Sequence, residues 1–367
     1  MRIKKELLLE NHLGKLSSWI YASIISFLCI NCQGKSEGKV HLIEGDLGVD
    51  STFVCTLQEN LTTLMPVSDV TFLDDTTFYV LSGDEIVKYG ISGTQLQVIR
   101  HKGQGPGEYI SAESIESKNP MLYVWDSGTL KLMRYDRDGN FISEITGFST
   151  AIEDFKIYNK DLVIFYNSGG ANDLMDVYDI DNHRFLAHIG KLSQEDKVLQ
   201  LLSVESRLTV KGDYIYYVYP SSSTIYRFAM GEYEEEMYRQ IPDPEFTVAR
   251  VEDATALINK NRNETLKYLG ENSLTTTLIP LEDRFLVGTN VGQFELTMNQ
   301  AKPEMNQRFA KWYHVTQEPS GGVATVKLPA TSYSRHCVHD DGSTMAIVYD
   351  VETETHRMMR LSPKVLP

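Results

Sequence analysis

The feature that most constrains this chain is a strand unit that recurs along it. Three stretches align: "TFYVLSGDEIVKYGISGTQLQVIR" (77–100), "MLYVWDSGTLKLMRYDRDGNFISEI" (121–145) and "DLVIFYNSGGANDLMDVYDIDNHRFLAHI" (161–189). Each reads as a strand, a short polar turn, a second strand ending near Tyr89, Tyr135 or Tyr178, a tight polar turn and a third strand. Ahead of each lies a segment able to add one more strand: "VSDVTFLDD", "ISAESIESK" and "AIEDFKIYN". Four short antiparallel strands repeating at roughly 40 to 45 residues are the signature of a propeller blade. A sheet that thin cannot hide its own apolar surface, so it must wedge between two neighbours.

Later copies are looser. "DYIYYVYPSSSTIYRFAMGEYEEEMYRQI" (213–241) is a fourth, "DRFLVGTNVGQFELTMNQ" (283–300) begins a fifth, and "RHCVHDDGSTMAIVYDVETETHRMMRL" (335–361) supplies three strands of a sixth. Residues 40–57, "VHLIEGDLGVDSTFVCTL", alternate like a strand but have no unit of their own. They are expected to be the missing outer strand of the sixth, which removes the open edge of the ring. The expected fold is therefore all-β: a six-bladed β-propeller of four-stranded antiparallel blades over residues 40–367. Twenty Tyr and fourteen Phe, with many Val, Ile and Thr, suit such half-buried strands.

One segment departs from the pattern. "RVEDATALINKNRNETLKYLG" (250–270) places Val251, Ala254, Leu257, Ile258, Leu266 and Leu269 near helical spacing, with Gly270 as C-cap. It is read as a helical insertion between blades four and five, lying across one face of the disc.

The glycines of "HKGQGPGEYI" (101–110) raise the question of a phosphate cradle. A phosphate loop follows a buried strand and opens a helix. This one leads into another strand, so it is read as the crossing from one blade to the next.

The N-terminus has a different character. Arg2, Lys4, Lys5 and Lys15 precede "WIYASIISFLCINC" (19–32), which is short for a bilayer span and has the basic-then-apolar layout of a secretory signal. It is followed by "QGKSEGK" (33–39), a composition suited to a flexible tether. The layout resembles a bacterial lipoprotein signal, in which the cysteine closing the apolar run, here Cys32, is acylated. An ordinary secretory signal or an uncleaved anchor stays open; each takes the protein out of the cytoplasm.

Taken together, the "GQGPGE" crossing, the "YDRDGNFI" hairpin and this start resemble the six-bladed β-propeller lipoproteins of the Bacteroidetes, a TolB-like family distantly similar to NHL-repeat proteins. The resemblance implies fold and export and offers no catalytic motif to carry over.

Candidate chemistry is sparse. "DRDGN" (136–140) resembles the start of a calcium loop, but strands rather than helices flank it, so a hairpin turn with positive φ at Asp138-Gly139 is expected. In "RHCVHDDG" (335–342), strand alternation points His336 and His339 to opposite faces, so both reach one metal only if the strand bends or ends between them, and a turn after an innermost strand is preferred to a metal site. In "YIYYVYP" (214–220), alternation sends Tyr214, Tyr216 and Val218 to one face and Ile215, Tyr217 and Tyr219 to the other, which reads as core. The acidic "EYEEEMY" (232–238) reads as a solvated outer strand or turn. Cys55 and Cys337 are assigned to outer and inner strands of one blade, about three spacings of ~4.8 Å apart and beyond disulfide reach.

No catalytic, cofactor or metal residue is assigned. A formal charge of −15 with no basic run after residue 5 excludes a nucleic-acid partner. The function expected is that of an exported, lipid-anchored, non-catalytic module binding a protein or glycan of the cell envelope. The alternative is an enzyme, a metal-dependent lyase or hydrolase with its site in the central funnel.

Overall fold

The computed structural model describes residues 49–58, 67–83, 85–159, 161–202, 206–260, 262–291, 296–299, 302–305, 309–316, 323–329, 335–339, 342–350 and 355–363. The expected signal (1–32) and tether (33–39) lie outside these residues.

Strand β1 (Val49–Thr56) opens the described chain. The first four-stranded sheet follows: β2 (Val67–Asp74), β3 (Thr77–Ser82), β4 (Glu85–Gly90) and β5 (Gln95–Ile99). The second is β6 (Ala112–Lys118), β7 (Met121–Asp126), β8 (Lys131–Tyr135) and β9 (Phe141–Ile145). The third is β10 (Ile152–Asn159), β11 (Leu162–Asn167), β12 (Asp173–Asp179) and β13 (Arg184–Lys191). Helix α1 (Gln194–Leu199) and a 3-10 turn (Gln200–Leu202) precede the fourth: β14 (Leu208–Lys211), β15 (Tyr214–Val218), β16 (Thr224–Ala229) and β17 (Glu236–Gln240).

Helices α2 (Ala254–Lys260) and α3 (Arg262–Glu271) come next. The fifth sheet starts with β18 (Leu274–Pro280) and β19 (Arg284–Val291), then a separate hairpin, β20 (Leu296–Asn299) with β21 (Lys302–Met305), intervenes. Strands β22 (Phe309–Thr316) and β23 (Val323–Pro329) complete that sheet. Strands β24 (Arg335–Val338), β25 (Thr344–Asp350) and β26 (Thr355–Pro363) pair in the order β1-β26-β25-β24, making a sixth four-stranded sheet. Within these sheets the described strands pair antiparallel.

The architecture is an all-β propeller of four-stranded antiparallel sheets. Strand β1 runs from Val49 opposite Pro363 to Thr56 opposite Arg357, with a bulge between Phe53 and Cys55. Residues from the start of the described chain thus close the sheet made by its end. Cys55 is buried on that outer strand, Cys337 lies on the innermost, and both thiols are free.

Why this arrangement is stable is visible in how the faces are shared. Along β3, Phe78 and Val80 face a cluster with Cys55, Met345 and Met358 of the sixth sheet. Tyr79 and Leu81 face the other way, into a cluster with Tyr109, Ile115, Leu122 and Tyr135 of the second. The same division recurs between sheets two and three, three and four, four and five, and five and six. Each fully buried aliphatic or aromatic side chain contributes about 1.5–3 kcal/mol, and a thin sheet collects that from both faces only when it has two neighbours.

Two expectations need correction. The stretch 283–300, expected to begin the fifth unit, supplies β19, but its end, 296–299, is one arm of the β20–β21 hairpin and not the next strand of that sheet. β22 takes that place, bringing Tyr313 and Val315 into the core shared with the fourth sheet. The helical insertion is two helices, and Gly270 lies within the last turn of α3, buried, instead of capping it. The cap is Asn272, which donates to the Tyr268 carbonyl at 2.7 Å while accepting from the Ala249 amide.

Candidate functional site

Among the described residues, β2, β6, β10, β14, β18 and β24 each stand at the inner edge of a four-stranded sheet of the propeller, and their side chains alternate in direction. Charged residues on them meet in one cluster. Asp69 on β2 accepts the Val70 amide through Oδ1 (2.9 Å) and, through Oδ2, the Ser114 hydroxyl (2.7 Å) and the Ile115 amide (2.8 Å) of β6. Asp154 on β10 repeats the pattern: Oδ1 accepts the Phe155 amide (2.8 Å), and Oδ2 accepts the Ser206 hydroxyl ahead of β14. Both aspartates sit at a bulge, where the extra residue frees an amide for the carboxylate. They are latches between neighbouring sheets.

Lys156 sits between carboxylates. Its Nζ lies 3.3 Å from Asp154 Oδ1 and 3.3 Å from Glu116 Oε2 of β6, and the Lys156 and Glu116 side chains each keep 21% exposure. Lys156 also acts electrostatically on His336 and Cys337 of β24, although the third and sixth sheets are not neighbours. Only around the central axis can such residues approach one another.

The enclosure perturbs Glu116, Asp69, Lys156, His336 and Cys337. Burial pushes the Glu116 carboxyl up to about 7, with Asp154 and Asp69 adding to the rise and Lys156 opposing it. Burial likewise raises Asp69, against the pull of Lys156. For Lys156, burial works against the charge, but Asp154, Glu116 and Asp69 outweigh it and hold the ammonium above its usual range. Burial, then Lys156 and Arg335, pull His336 down to about 3, so its ring is neutral at pH 7. The Cys337 thiol is raised by burial and by the Glu116 and Asp69 charges, which makes it a poor nucleophile.

A second polar centre joins three sheets. Arg207 donates from Nε to the Thr275 carbonyl (2.8 Å) and from Nη1 to Glu153 Oε2 (2.8 Å), with 1% and 9% of the two side chains exposed. Above it lies a helical layer. Ser193 caps α1 through a reciprocal capping box with Asp196, and Asp196 Oδ1 also accepts the Ser221 amide. Glu195 and Gln194 accept the Val251 and Ala254 amides, tying α1 to α2. Val198, Leu199, Val251, Ala254, Leu269 and Leu274 form the apolar core of this layer.

Strand alternation decides which face the additions occupy. α1 connects β13 to β14, α2 and α3 connect β17 to β18, and the β20–β21 hairpin connects β19 to β22. Connections from an outer strand to the next inner strand, and from second to third strands, emerge on the same face. The opposite face carries the short turns, such as Asp74–Thr77 and Asn159–Leu162, closed by Asp74 and Asn159 side chains.

The residues singled out from the sequence fall as follows. Cys32 lies outside the described residues. "GQGPGE" is the crossing from β5 to β6: Glu108 Oε2 accepts the Gly105 amide (2.8 Å), the Lys131 ammonium donates to the Gly105 carbonyl, and the Tyr135 hydroxyl donates to that of Gly107 (2.8 Å). The backbone there is consumed internally. In "DRDGN", Asp136 accepts the Asp138 and Asn140 amides and the Asn140 side chain, and these bonds hold its carboxyl below the usual range. Only Gly139 of the Asp138-Gly139 pair has positive φ, at 82°.

His336 and His339 part company: His336 reaches the backbone at Leu278 of β18, whereas His339 lies edge-on to Phe72, with ring centroids 4.9 Å apart. Asp340 and Asp341 lie outside the described residues, and the Gly342 amide closes the turn onto the His339 carbonyl. Tyr216 and Val218 face the fifth sheet, and Ile215, Tyr217 and Tyr219 the third. Glu235 of the acidic run accepts both the Tyr217 and Tyr219 hydroxyls.

Sequence reasoning missed α1, whose signal was the Ser193–Asp196 capping box, and it missed the axial cluster. Charges embedded in short strands at Asp69, Glu116, Asp154 and Lys156 were the available clue. Among the described residues, no three His, Cys, Asp or Glu side chains converge as a metal site requires, and no helix is long and apolar enough to cross a membrane.

A family profile described as a domain of unknown function, DUF4934, matches residues 44–279, more than half of the chain. No curated protein matches the sequence. Among solved structures, a presumed exported protein of Bacteroides fragilis is similar at TM-score 0.62 and 15% identity, over 86% of this chain and 95% of that one. A DUF4221-family protein of Bacteroides vulgatus is similar at TM-score 0.58 and 8% identity, over 86% and 99%. At these identities the likeness is one of fold.

Proposed function

The chain belongs to the DUF4934 family, and from its geometry we propose that it is an exported, lipid-anchored binding module that engages a protein or glycan of the cell envelope. In this reading the six four-stranded sheets are the blades of one six-bladed ring, akin to the TolB-like and NHL-like propellers, and Cys32 carries the lipid. One observation carries the proposal: by strand alternation α1, α2, α3 and the β20–β21 hairpin all rise from one face, while among the described residues the other carries short turns such as Asp74–Thr77 and Asn159–Leu162. A rigid ring that concentrates its elaborations on one face holds a recognition surface in a fixed frame.

The test is affinity capture of the lipidated protein from its native envelope, with charge reversals on each face. Glu264→Lys and Lys267→Glu on α3 abolish capture of the partner, and Arg137→Glu in the opposite-face turn leaves it intact. Equal capture by all three variants refutes the face assignment, and a mature N-terminus other than acylated Cys32 refutes the anchor.

One observation favours the second reading, a funnel enzyme: a carboxyl titrating near neutrality beside a lysine is the kind of perturbed pair found at catalytic sites. Stoichiometric zinc or calcium in the purified protein, lost on His339→Ala, favours that reading over the first.

A further inference from the structure

We propose that β1 is a releasable strap: it leaves the sixth sheet as a unit, opening the β26 edge, while the rest of the propeller stays assembled. Its covalent ties set it apart. The outer strands β5, β9, β13, β17 and β23 each follow the third strand of their own sheet and lead on to the next sheet, so each is tied at both ends. β1 follows no strand of its sheet. Within the propeller the chain ties it only forward, to β2 of the first sheet, and it meets β26 through pairing alone. A strand tied at one end regains more conformational freedom on leaving than one tied at both.

The contacts that hold the strap are few in kind. Beyond its pairing with β26, the Leu57 amide donates to the His356 carbonyl (2.9 Å) and the Gln58 amide to the Gly93 carbonyl (2.8 Å). The Tyr89 hydroxyl reaches the Gln58 carbonyl at 3.5 Å. Cys55 and Leu57 point inward and are each 4% exposed, whereas Thr52, Phe53 and Thr56 are exposed. The turn between β4 and β5 closes over the end of the strap. Gly93 in that turn has φ +83°, and a Cβ built there falls on the Thr56 carbonyl oxygen and 3.3 Å from Cys55 Cβ.

The seam between the sixth and first sheets has a second set of links that does not involve β1. His339, at the end of β24, places Nε2 3.3 Å from Asp75 Oδ1 in the β2–β3 turn, and its ring lies edge-on to Phe72 of β2. Met345, Ile347 and Met358 of the sixth sheet pack against Val70, Phe72 and Phe78 of the first. These links keep the ring joined when β1 departs. A pull on the chain ahead of Val49 therefore reaches the strap before any other strand.

The two cysteines of the propeller report the motion. Peptide-resolved alkylation of the full chain at a single pH follows Cys55 on β1 and Cys337 on β24. Gly93→Ala crowds the Thr56 carbonyl, a strain relieved when β1 leaves, so Cys55 alkylation accelerates by about 5- to 150-fold. The Cys337 rate stays at its wild-type value. Gly139→Ala is the matched control: Gly139 occupies the corresponding turn of the second sheet at φ +82°, and its built Cβ meets Ile99 Cδ1 at 2.9 Å, away from β1. That variant leaves both rates unchanged.

Cys55 and Cys337 accelerating together, an unchanged Cys55 rate in Gly93→Ala, or equal acceleration in Gly139→Ala overturns the proposal. If Gly93→Ala does not fold, amide exchange in the unmodified full chain decides: at low urea β1 exchanges through an opening that β11 does not share. Coincident exchange of the two strands across the urea range overturns the strap.

Discussion

Replacing Gly107 with alanine tests whether the glycine-rich crossing is shaped by blade geometry. Gly107 has φ +69°, and a Cβ built there falls 2.5 Å from Phe141 Cγ and 2.8 Å from its Cβ. Two penalties combine. The left-handed conformation costs a side-chain-bearing residue about 1–2 kcal/mol, and forcing a methyl against Phe141 costs about 1–3 kcal/mol more, for a sum of about 2–5 kcal/mol. Gly147 separates them, since its φ is +89° and nothing lies within 4 Å of its built Cβ. Gly147→Ala therefore costs only the conformational part, about 1–2 kcal/mol. Phe141 is 37% exposed, so Phe141→Ala is mild alone and recovers the steric share when combined with Gly107→Ala. Urea unfolding of the two single glycine variants, Phe141→Ala and the double variant measures each contribution. Equal losses for Gly107→Ala and Gly147→Ala, or no relief from Phe141→Ala, refute the assignment.

The latches between sheets make a parallel prediction. Asp69→Ala strands the Ser114 hydroxyl and Ile115 amide and lowers stability by about 1–3 kcal/mol, whereas Ser114→Ala costs about 1 kcal/mol; equal losses in urea unfolding count against the latch. Arg207→Met removes the guanidinium beside the enclosed Glu153 carboxylate and costs about 3–5 kcal/mol, and adding Glu153→Gln recovers more than half. A double variant no better than the single one removes the pair from the account.

How far the fold was legible can be seen residue by residue. Alternation in "YIYYVYP" assigned Tyr216 and Val218 to one face and Tyr217 and Tyr219 to the other, and the structure packs them against the fifth and third sheets accordingly. That succeeds because period two is a property of the extended chain itself. The stretch 283–300 was read as the start of the fifth unit without the hairpin at its end, because local composition does not say with which partner a short segment such as 296–299 pairs. Gly270 failed as a cap because Asn272 reaches both Tyr268 and Ala249, a contact 23 residues away in sequence.

The repeat alone determined that thin antiparallel sheets must pack side by side, since each unit carries apolar residues on both faces and too few strands to cover them. The grouping of Asp69, Glu116, Asp154, Lys156, His336 and Cys337 was decided by tertiary structure only. Asp69, Glu116, Lys156 and Cys337 belong to four units spread over most of the chain, and nothing local relates them until the ring brings their strands together. Their protonation is likewise a tertiary property, because burial and neighbouring charge, rather than residue type, move Glu116 toward neutrality and His336 far below it.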